Sequence, residues 1–244
     1  MKLESEFLTS RRLSRARVAR AIAAALVLAL AAPVSADDAT DAKQLVEKAK
    51  LTIDSFAADK VMGAPVKKFL KTAKGALISP QVLRGAFIVG VSGGSGVLVV
   101  RDAKANSWHG PAFYTMGEAS FGLQAGGDAS EVVLLLMTDR GVNAMLSTSV
   151  KLGADASVAA GPVGGGAEAS TANISADILT FTRAKGLYGG VSLEGAVVAT
   201  RGALNDAFYA KKDLTPTDIL IRRSVSDPAA NALLTEVRKL ASGK

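Results

Sequence analysis

Residues 85–101 read GAFIVGVSGGSGVLVVR, and this stretch decides the fold class. The two apolar, β-branched runs over 85–92 and 96–101 are typical of strands. Gly93, Gly94 and Ser95 stand between the runs and favour a turn, so we predict a β-hairpin. A phosphate-binding loop fits less well, because the stretch lacks the Lys-Ser/Thr pair of a P-loop and leads into a strand-like run where a helix should begin.

Further strand-like segments follow towards the C-terminus. They are bounded by Gly, Pro or Asp, and they cover 113–116, 119–125, 131–138, 149–159, 169–183 and 189–199. Their close spacing predicts a mostly antiparallel sheet that curls toward a barrel or a sandwich.

Helical patterns lie on either side of these strands. Apolar residues recur at helical spacing over 41–59, and Pro65 and Gly75 bound a shorter amphipathic segment. Segments 139–146, 203–210 and 227–240 favour three more helices. The sequence therefore predicts an α+β fold, a mostly antiparallel curled sheet or barrel-like core flanked by N-terminal and C-terminal helices. We expect one domain over 37–244, with a helical lead-in over 41–75, a β-rich core over 76–200 and C-terminal helices over 203–241.

Residues 1–36 have the pattern of a cleavable secretory signal peptide. Five arginines between Arg11 and Arg20 precede an uncharged apolar run over 21–32, and Val34, Ser35 and Ala36 suit cleavage after Ala36. A membrane anchor is the alternative, but the run is short: as a helix it spans only about 18 Å, against ~30 Å for the hydrocarbon core. We expect a periplasmic or otherwise exported protein, by the Sec or the twin-arginine route.

Removal of the signal peptide lowers the net charge of the chain. The whole chain has 29 Lys+Arg against 22 Asp+Glu, a net charge of +7. Residues 1–36 contain six of the basic and two of the acidic residues, so the exported chain carries only +3. No basic stretch has aromatic residues interleaved for base stacking, and we expect no nucleic-acid partner. The absence of cysteine excludes disulfides and thiolate metal sites.

Catalytic chemistry has little support in the sequence. His109 is the one histidine, in the segment WHGP over 108–111, and a loop role suits it at least as well as that of a general base. Carboxylates are scattered, and no metal-binding motif is present. We expect no enzyme activity, no metal and no cofactor.

A local basic face is the best binding feature that the residues alone offer. Lys67, Lys71 and Lys74 share one side of the segment bounded by Pro65 and Gly75, with Lys68 beside them. Such a face attracts anionic lipid, and the apolar Phe69 and Leu70 on the other side could insert into a bilayer. The alternative is an ordinary surface helix with a core-facing apolar stripe.

Most of the exported chain resembles the SYLF family of lipid-binding domains. The blocks that carry the resemblance are AKGA at 73–76, the segment 90–99, WHGP at 108–111, FGLQAG at 121–126, LGAD at 152–155 with AGPVG at 160–164, and FTRAKGLYGGVSLEG at 181–195, followed by Asn205, Phe208 and Tyr209. The resemblance implies a non-enzymatic domain that associates with phospholipids and, in some eukaryotic members, with actin. In eukaryotic relatives an amphipathic segment that precedes the domain is associated with membrane binding, and Pro65 to Lys74 occupies a comparable place here.

Export decides which of these implied partners suits this chain. We expect anionic phospholipids or a membrane surface, and no actin. Arg183 and Lys185, in the strongest block, are candidate phosphate contacts; the alternative is an ion pair with Glu194 that stabilises a glycine-rich strand. A different function, an envelope scaffold or stress protein that binds other proteins through its glycine-rich sheet, stays open because an open sheet has exposed edges.

Overall fold

Four long strands form the centre of the sheet. The computed structural model describes residues 36–86, 89–121, 126–162, 175–184, 187–189 and 193–243. The central strands are β1 (Gly75–Ala86), β2 (Val89–Asp102), β3 (Ser107–Phe121) and β4 (Gly126–Leu136). Each pairs antiparallel with its neighbour in the order β3-β2-β1-β4.

Five shorter strands extend this centre on both sides. They are β5 (Ser149–Lys151), β6 (Val158–Ala160), β7 (Ile178–Ala184), β8 (Leu187–Gly189) and β9 (Val197–Thr200). The strand order is β5-β9-β3-β2-β1-β4-β7-β6, and β8 also pairs with β7. Every pair among the named strands is antiparallel except β6 with β7. The predicted α+β fold with a mostly antiparallel curled sheet is confirmed.

The predicted turn at Gly93, Gly94 and Ser95 is wrong. Strand β2 runs through these residues, and the link between β1 and β2 falls at 87–88, outside the described residues. The register of β1 shifts between Ile78 and Gln81, which brings its backbone close to β2. A Cβ atom added at Gly94 would lie 2.3 Å from the carbonyl oxygen of Gln81. The glycine therefore serves a close backbone approach at a bulge, not a turn.

Other strand boundaries also differ from those predicted. Segments 113–116 and 119–121 belong to one strand, β3, and segment 149–159 splits into β5 and β6 around a tight turn. Segment 189–199 contains the last residue of β8 and the first three of β9, and its residues 190–192 lie outside the described part of the chain. The early part of segment 169–183, up to residue 174, lies outside the described residues.

The helices lie before, within and after the strands. They are α1 (Ala36–Ala58), α2 (Gly63–Leu70), α3 (Asp139–Met145), α4 (Gly202–Tyr209), α5 (Pro216–Leu220) and α6 (Asn231–Ser242), with a 3₁₀ turn at Pro228–Ala230 before α6. Helix α2 was predicted to run to Gly75, but it ends at Leu70, and Gly75 begins β1. Helix α5 was not predicted. None of the described helices is long and apolar enough to cross a membrane.

Each face of the sheet contributes to its own hydrophobic core. One core joins the sheet to α1, α2, α4 and α6, with Phe56, Phe69, Phe113 and Phe181 among its buried side chains. The other core lies on the opposite face, beneath α3 and α5. Helix α2 is therefore held against the sheet by its apolar side, and its polar side faces outwards.

Candidate functional site

The lysine surface, defined as Lys67, Lys68 and Lys71, lies at the C-terminal end of α2. All three side chains are exposed. Lys67 and Lys68 belong to the last helical turn, and Lys71 is the C-cap. The C-terminal end of a helix carries the negative end of its macrodipole, which stabilises positively charged side chains there. The arrangement presents three positive charges on a short, rigid element.

The apolar side of α2 is buried inside the protein. Phe69 is 5% exposed and Leu70 is 0% exposed. The ring of Phe69 lies 6.4 Å from that of Phe181 in β7, between ring centroids. The hypothesis that Phe69 and Leu70 insert into a bilayer is therefore wrong for this conformation, because both already fill the core between α2 and the sheet.

Lys74 lies apart from the lysine surface. It follows the end of α2, and its Nζ lies 2.5 Å from Oδ2 of Asp139 at the start of α3. Both side chains are substantially exposed, so the pair adds little stability. The carboxylate nevertheless offsets the charge of Lys74, so Lys74 is not counted in the lysine surface.

Arg101 fixes the backbone at the end of α2. Its Nη1 donates a hydrogen bond to the carbonyl oxygen of Lys71 at 2.5 Å, and its Nη2 donates to Oδ1 of Asn106 at 2.9 Å. This side chain satisfies one of the carbonyls that a helix end leaves without a partner. Arg101 is 30 residues from Lys71 in the chain, so the helical pattern of 65–75 gave no signal for the contact.

Arg183 is enclosed by protein groups. Its Nε donates to Oε2 of Glu131 at 2.8 Å, and its Nη2 donates to the same oxygen and to Oγ of Ser55. Its Nη1 lies 3.7 Å from Asp59, and the guanidinium lies 4.9 Å from the centre of the Phe56 ring. These contacts join α1 to β4 and β7. Arg183 thus has a structural role, and the prediction that it contacts phosphate is not supported by its surroundings.

Glu194 and Lys185 were predicted to lie in the same strand block as Arg183, as its ion-pair partner and as a second phosphate contact. Glu194 is exposed in the turn before β9, where its side chain packs over Gly153. The strand environment predicted for this carboxylate is therefore wrong. Lys185, the second candidate phosphate contact, lies outside the described residues.

His109 lies in β3 beside a second cluster of charged groups. Its Nε2 is 2.8 Å from Oγ of Ser107. Burial lowers the pKa of His109 below its usual range, and the charge of Arg223 acts in the same direction. The nearby Asp102 bonds to Arg223, which with backbone N–H groups lowers the pKa of that carboxyl to about 2.

This cluster lacks the arrangement of a catalytic triad. Because Arg223 and two backbone N–H groups occupy the carboxylate of Asp102, it does not orient the imidazole of His109. Among the described residues, no three His, Asp or Glu side chains cluster in a way that could hold a metal ion.

The protein is thus an α+β domain with a curled sheet and helices on both of its faces. The lysine surface lies at the end of one of these helices, α2. Comparison with known sequences assigns the family. The chain belongs to the Ysc84 (SYLF) family: the family model described as Las17-binding protein actin regulator matches residues 117–240.

Named relatives come from yeast and mammals. The chain is 36% identical over 184 residues to Protein YSC84 of Saccharomyces cerevisiae, which covers 73% of this chain and 38% of that protein. It is 34% identical over 182 residues to LAS seventeen-binding protein 3 of the same yeast, with the same coverage. It is 35% identical over 166 residues to the human SH3 domain-containing YSC84-like protein 1, covering 66% of this chain and 46% of that one. The chain thus spans less than half the length of these three relatives.

Proposed function

We propose that this protein is exported and associates peripherally with anionic phospholipid membranes through the lysine surface. The observation that carries the proposal is the geometry of α2: its apolar side is anchored in the core, and its three outward lysines are exposed together. A membrane of negative surface potential attracts such a group without any rearrangement of the fold.

The attraction in this proposal is electrostatic and moderate in strength. Each lysine near an anionic bilayer contributes about 1 kcal/mol, so the surface supplies roughly 3 kcal/mol. Because Phe69 and Leu70 are buried, the apolar side of α2 adds no insertion into the bilayer. The association is therefore reversible and sensitive to salt, since ions screen charges at these distances.

The signal-like pattern of residues 1–36 supports a membrane of the cell envelope as the one that is bound. The sequence pattern supports export; residues 1–35 lie outside the described part of the chain. In that compartment the available ligands are anionic phospholipids such as phosphatidylglycerol, cardiolipin and phosphatidic acid. The matched family is described as an actin regulator, but an exported protein would not meet actin.

Two measurements test the proposal. Co-sedimentation with vesicles should show binding that rises with the fraction of phosphatidylglycerol and falls as salt is added. Equal binding to purely neutral vesicles would contradict the lipid part. Fractionation of expressing cells should place a form shortened to begin at Asp37 in the periplasm, and a full-length protein confined to the cytoplasm would contradict the export part.

The proposed function needs no catalysis. His109 contacts the hydroxyl of Ser107, but the nearby carboxylate of Asp102 bonds to Arg223 and to backbone N–H groups and does not orient the imidazole. Incubation with phospholipid followed by mass spectrometry should return the lipid unchanged. Release of fatty acid or head group at a rate that scales with protein would contradict this part of the proposal.

Protein binding remains a second candidate function, although the sheet edges do not favour it. The edge strands β5 and β6 have three residues each, which leaves little backbone for an added strand. A better surface is the sheet face that carries Leu83 and Val91, which are 55% and 46% exposed. A pull-down from an envelope extract in which Leu83→Asp loses a partner, without any change in vesicle binding, would favour this function.

A further inference from the structure

We propose that an open part of the sheet binds the hydrocarbon chain of a free fatty acid, whose carboxylate lies at Lys151. This open face, defined by Leu83, Val91 and Val197, carries three of the five large apolar side chains that are exposed in the described part of the chain. Their exposed fractions are 55%, 46% and 41%. The face is separate from the lysine surface, and the inference does not depend on membrane binding.

The strand register brings these three side chains together on one face. Leu83 pairs with Gly93 in β2, which pairs with Gly117 in β3. Gly117 in turn pairs with Val197 in β9. Directly paired residues share a face of the sheet, so Leu83 and Val197 stand at the two ends of one row with two glycines between them. Val91 lies two residues from Gly93 and belongs to the next row on the same face.

The open face continues the side of the sheet that the helices cover. Val97 is buried in the core with α1, and Gly93 lies four residues away on the same side of β2. The row between them contains Ser95 and Thr115. Oγ1 of Thr115 donates to a backbone carbonyl of β2 at 3.1 Å, and Oγ of Ser95 accepts from Arg201 at 2.9 Å. These hydroxyls at the border of the open face are thus already bonded within the protein.

The backbone of the open face also has its hydrogen bonds within the sheet. Strands β1, β2 and β3 each have a paired neighbour on both sides, so an added strand finds no free ladder there. A ligand on this face therefore gains mainly contact with apolar atoms. That is the contact that a hydrocarbon chain makes.

The glycines in the middle of the row are not required by close packing. The nearest atom to an added Cβ would be 3.8 Å away at Gly93 and 3.5 Å away at Gly117. Glycine inside a strand weakens it, and it often marks a place where a ligand approaches the backbone. The row is therefore low in the middle, with an apolar side chain at either end.

The size of the open face favours a small ligand over a protein. Four strand spacings separate β1 from β5, which is about 19 Å, and two rows are about 14 Å wide. The area is therefore about 270 Å², whereas a stable protein–protein interface takes about 800 Å² from each partner. A second copy of the chain or another protein needs more surface than this, and a single hydrocarbon chain does not.

One cation stands at the end of the row. Lys151 in β5 pairs with Val197, so it lies on the same face at the edge of the sheet, and its side chain is exposed. It forms no ion pair with another described residue; its backbone N–H donates to Oδ2 of Asp155 at 2.7 Å. A single lysine attracts an anionic bilayer only weakly. It matches the single carboxylate of a fatty acid whose chain runs across the glycines towards Leu83.

Fluorescence titration of the purified chain with cis-parinaric acid, followed by displacement with palmitate, tests the proposal. We expect saturable binding of one molecule per chain, weakened about tenfold or more by Leu83→Asp. Leu51→Asp is the matched control, because it places the same charge at an exposed leucine of α1, and it should leave the affinity unchanged. Circular dichroism checks that both variants fold.

Two further variants locate the chain and the carboxylate. Gly93→Val should fill the low middle of the row and weaken binding while the protein stays folded. Lys151→Glu should weaken displacement by palmitate but not by hexadecanol, which has the same chain without the charge. Lys104→Glu, at an exposed lysine away from the open face, should change neither. Glutamate at all three residues of the lysine surface should also leave fatty-acid binding intact, which separates this site from the proposed membrane contact.

Several results would overturn the proposal. They are an absence of saturable binding, equal effects of the two leucine variants, an unchanged affinity in Gly93→Val, and an equal loss of palmitate and hexadecanol in Lys151→Glu. If Leu83→Asp keeps its affinity for the fatty acid but loses vesicles or an envelope protein, the open face binds that partner and the proposal is likewise overturned.

Discussion

The guanidinium of Arg183 in β7 donates from two nitrogens to one carboxylate oxygen of Glu131, its neighbour across the sheet in β4. This pair lies directly beneath the C-terminal end of α1, where Ser55 and Asp59 also contact the arginine. Because Asp59 in turn accepts hydrogen bonds from the backbone N–H groups that lead into α2, the pair helps to set the position of that helix.

Replacement of Arg183 should therefore damage the fold and spare lipid binding. We expect Arg183→Ala to lower the free energy of unfolding by about 2 kcal/mol, less than for a fully buried pair because Glu131 is partly exposed. Urea denaturation measures this. Vesicle binding by the folded fraction should be unchanged, and a fully stable variant with lost binding would restore Arg183 as a phosphate contact.

Phe69 offers a second way to separate folding from binding. Because its ring packs on Phe181 in the core, Phe69→Ala should cost about 3 kcal/mol of stability. Lys68→Ala, at the adjacent exposed position, should leave stability almost unchanged. If instead Phe69→Ala keeps its thermal midpoint and releases the protein from vesicles, then the ring contacts lipid and α2 detaches from the core on binding.

Gly94 and Gly93 are adjacent in β2 but differ in what surrounds them. A Cβ at Gly94 would meet backbone atoms of Gln81 and Val82 at 2.3 and 3.0 Å, whereas the nearest atom to a Cβ at Gly93 is 3.8 Å away. Gly94→Ala should therefore destabilise by about 2 kcal/mol, and Gly93→Ala should be near neutral. Thermal denaturation of the two variants checks this, and equal midpoints would contradict the close approach at the bulge.

These glycines also show where sequence reasoning reached its limit. The residue pattern predicted the fold class and most helices, because hydrophobic periodicity is a local signal. It misplaced the first hairpin because Gly-Gly-Ser favours a turn when read alone, and the register shift in β1 that demands Gly94 is not a local property. The same limit applies to Arg183, whose partners Ser55 and Glu131 are distant in the chain.

Helix α5 was missed although its signal is present in the sequence. Thr215 and Asp218 form a capping box around Pro216, a recognised start of a helix. The helix has only five residues, so hydrophobic periodicity could not reveal it. Lys67, Lys68 and Lys71, in contrast, are exposed as their pattern indicated, while the pairing of Lys74 with Asp139 and the burial of Phe69 and Leu70 required knowledge of what packs against α2.

The capping box makes stability depend on pH. Hydrogen bonds from Thr215, and then from Arg222, lower the pKa of Asp218 from 3.8 to about 2. A carboxyl with a lowered pKa in the folded state stabilises above its unfolded pKa, and that stabilisation is lost as pH falls through the folded value. The stability difference between the wild type and Asp218→Asn should thus shrink as pH falls from about 4 to about 2. Urea denaturation of both proteins over this range tests it, and a constant difference would contradict it.

The central claim is that the lysine surface holds the protein on anionic membranes, and its most direct test is vesicle co-sedimentation of two charge-matched triple variants. One replaces Lys67, Lys68 and Lys71 with glutamate; the other makes the same change at the exposed Lys104, Lys211 and Lys212. Both change the net charge equally, so any difference reports position. We predict that the first variant loses binding to phosphatidylglycerol vesicles at low salt while the second keeps most of it. Equal binding by the two variants would contradict the assignment of the membrane contact to α2.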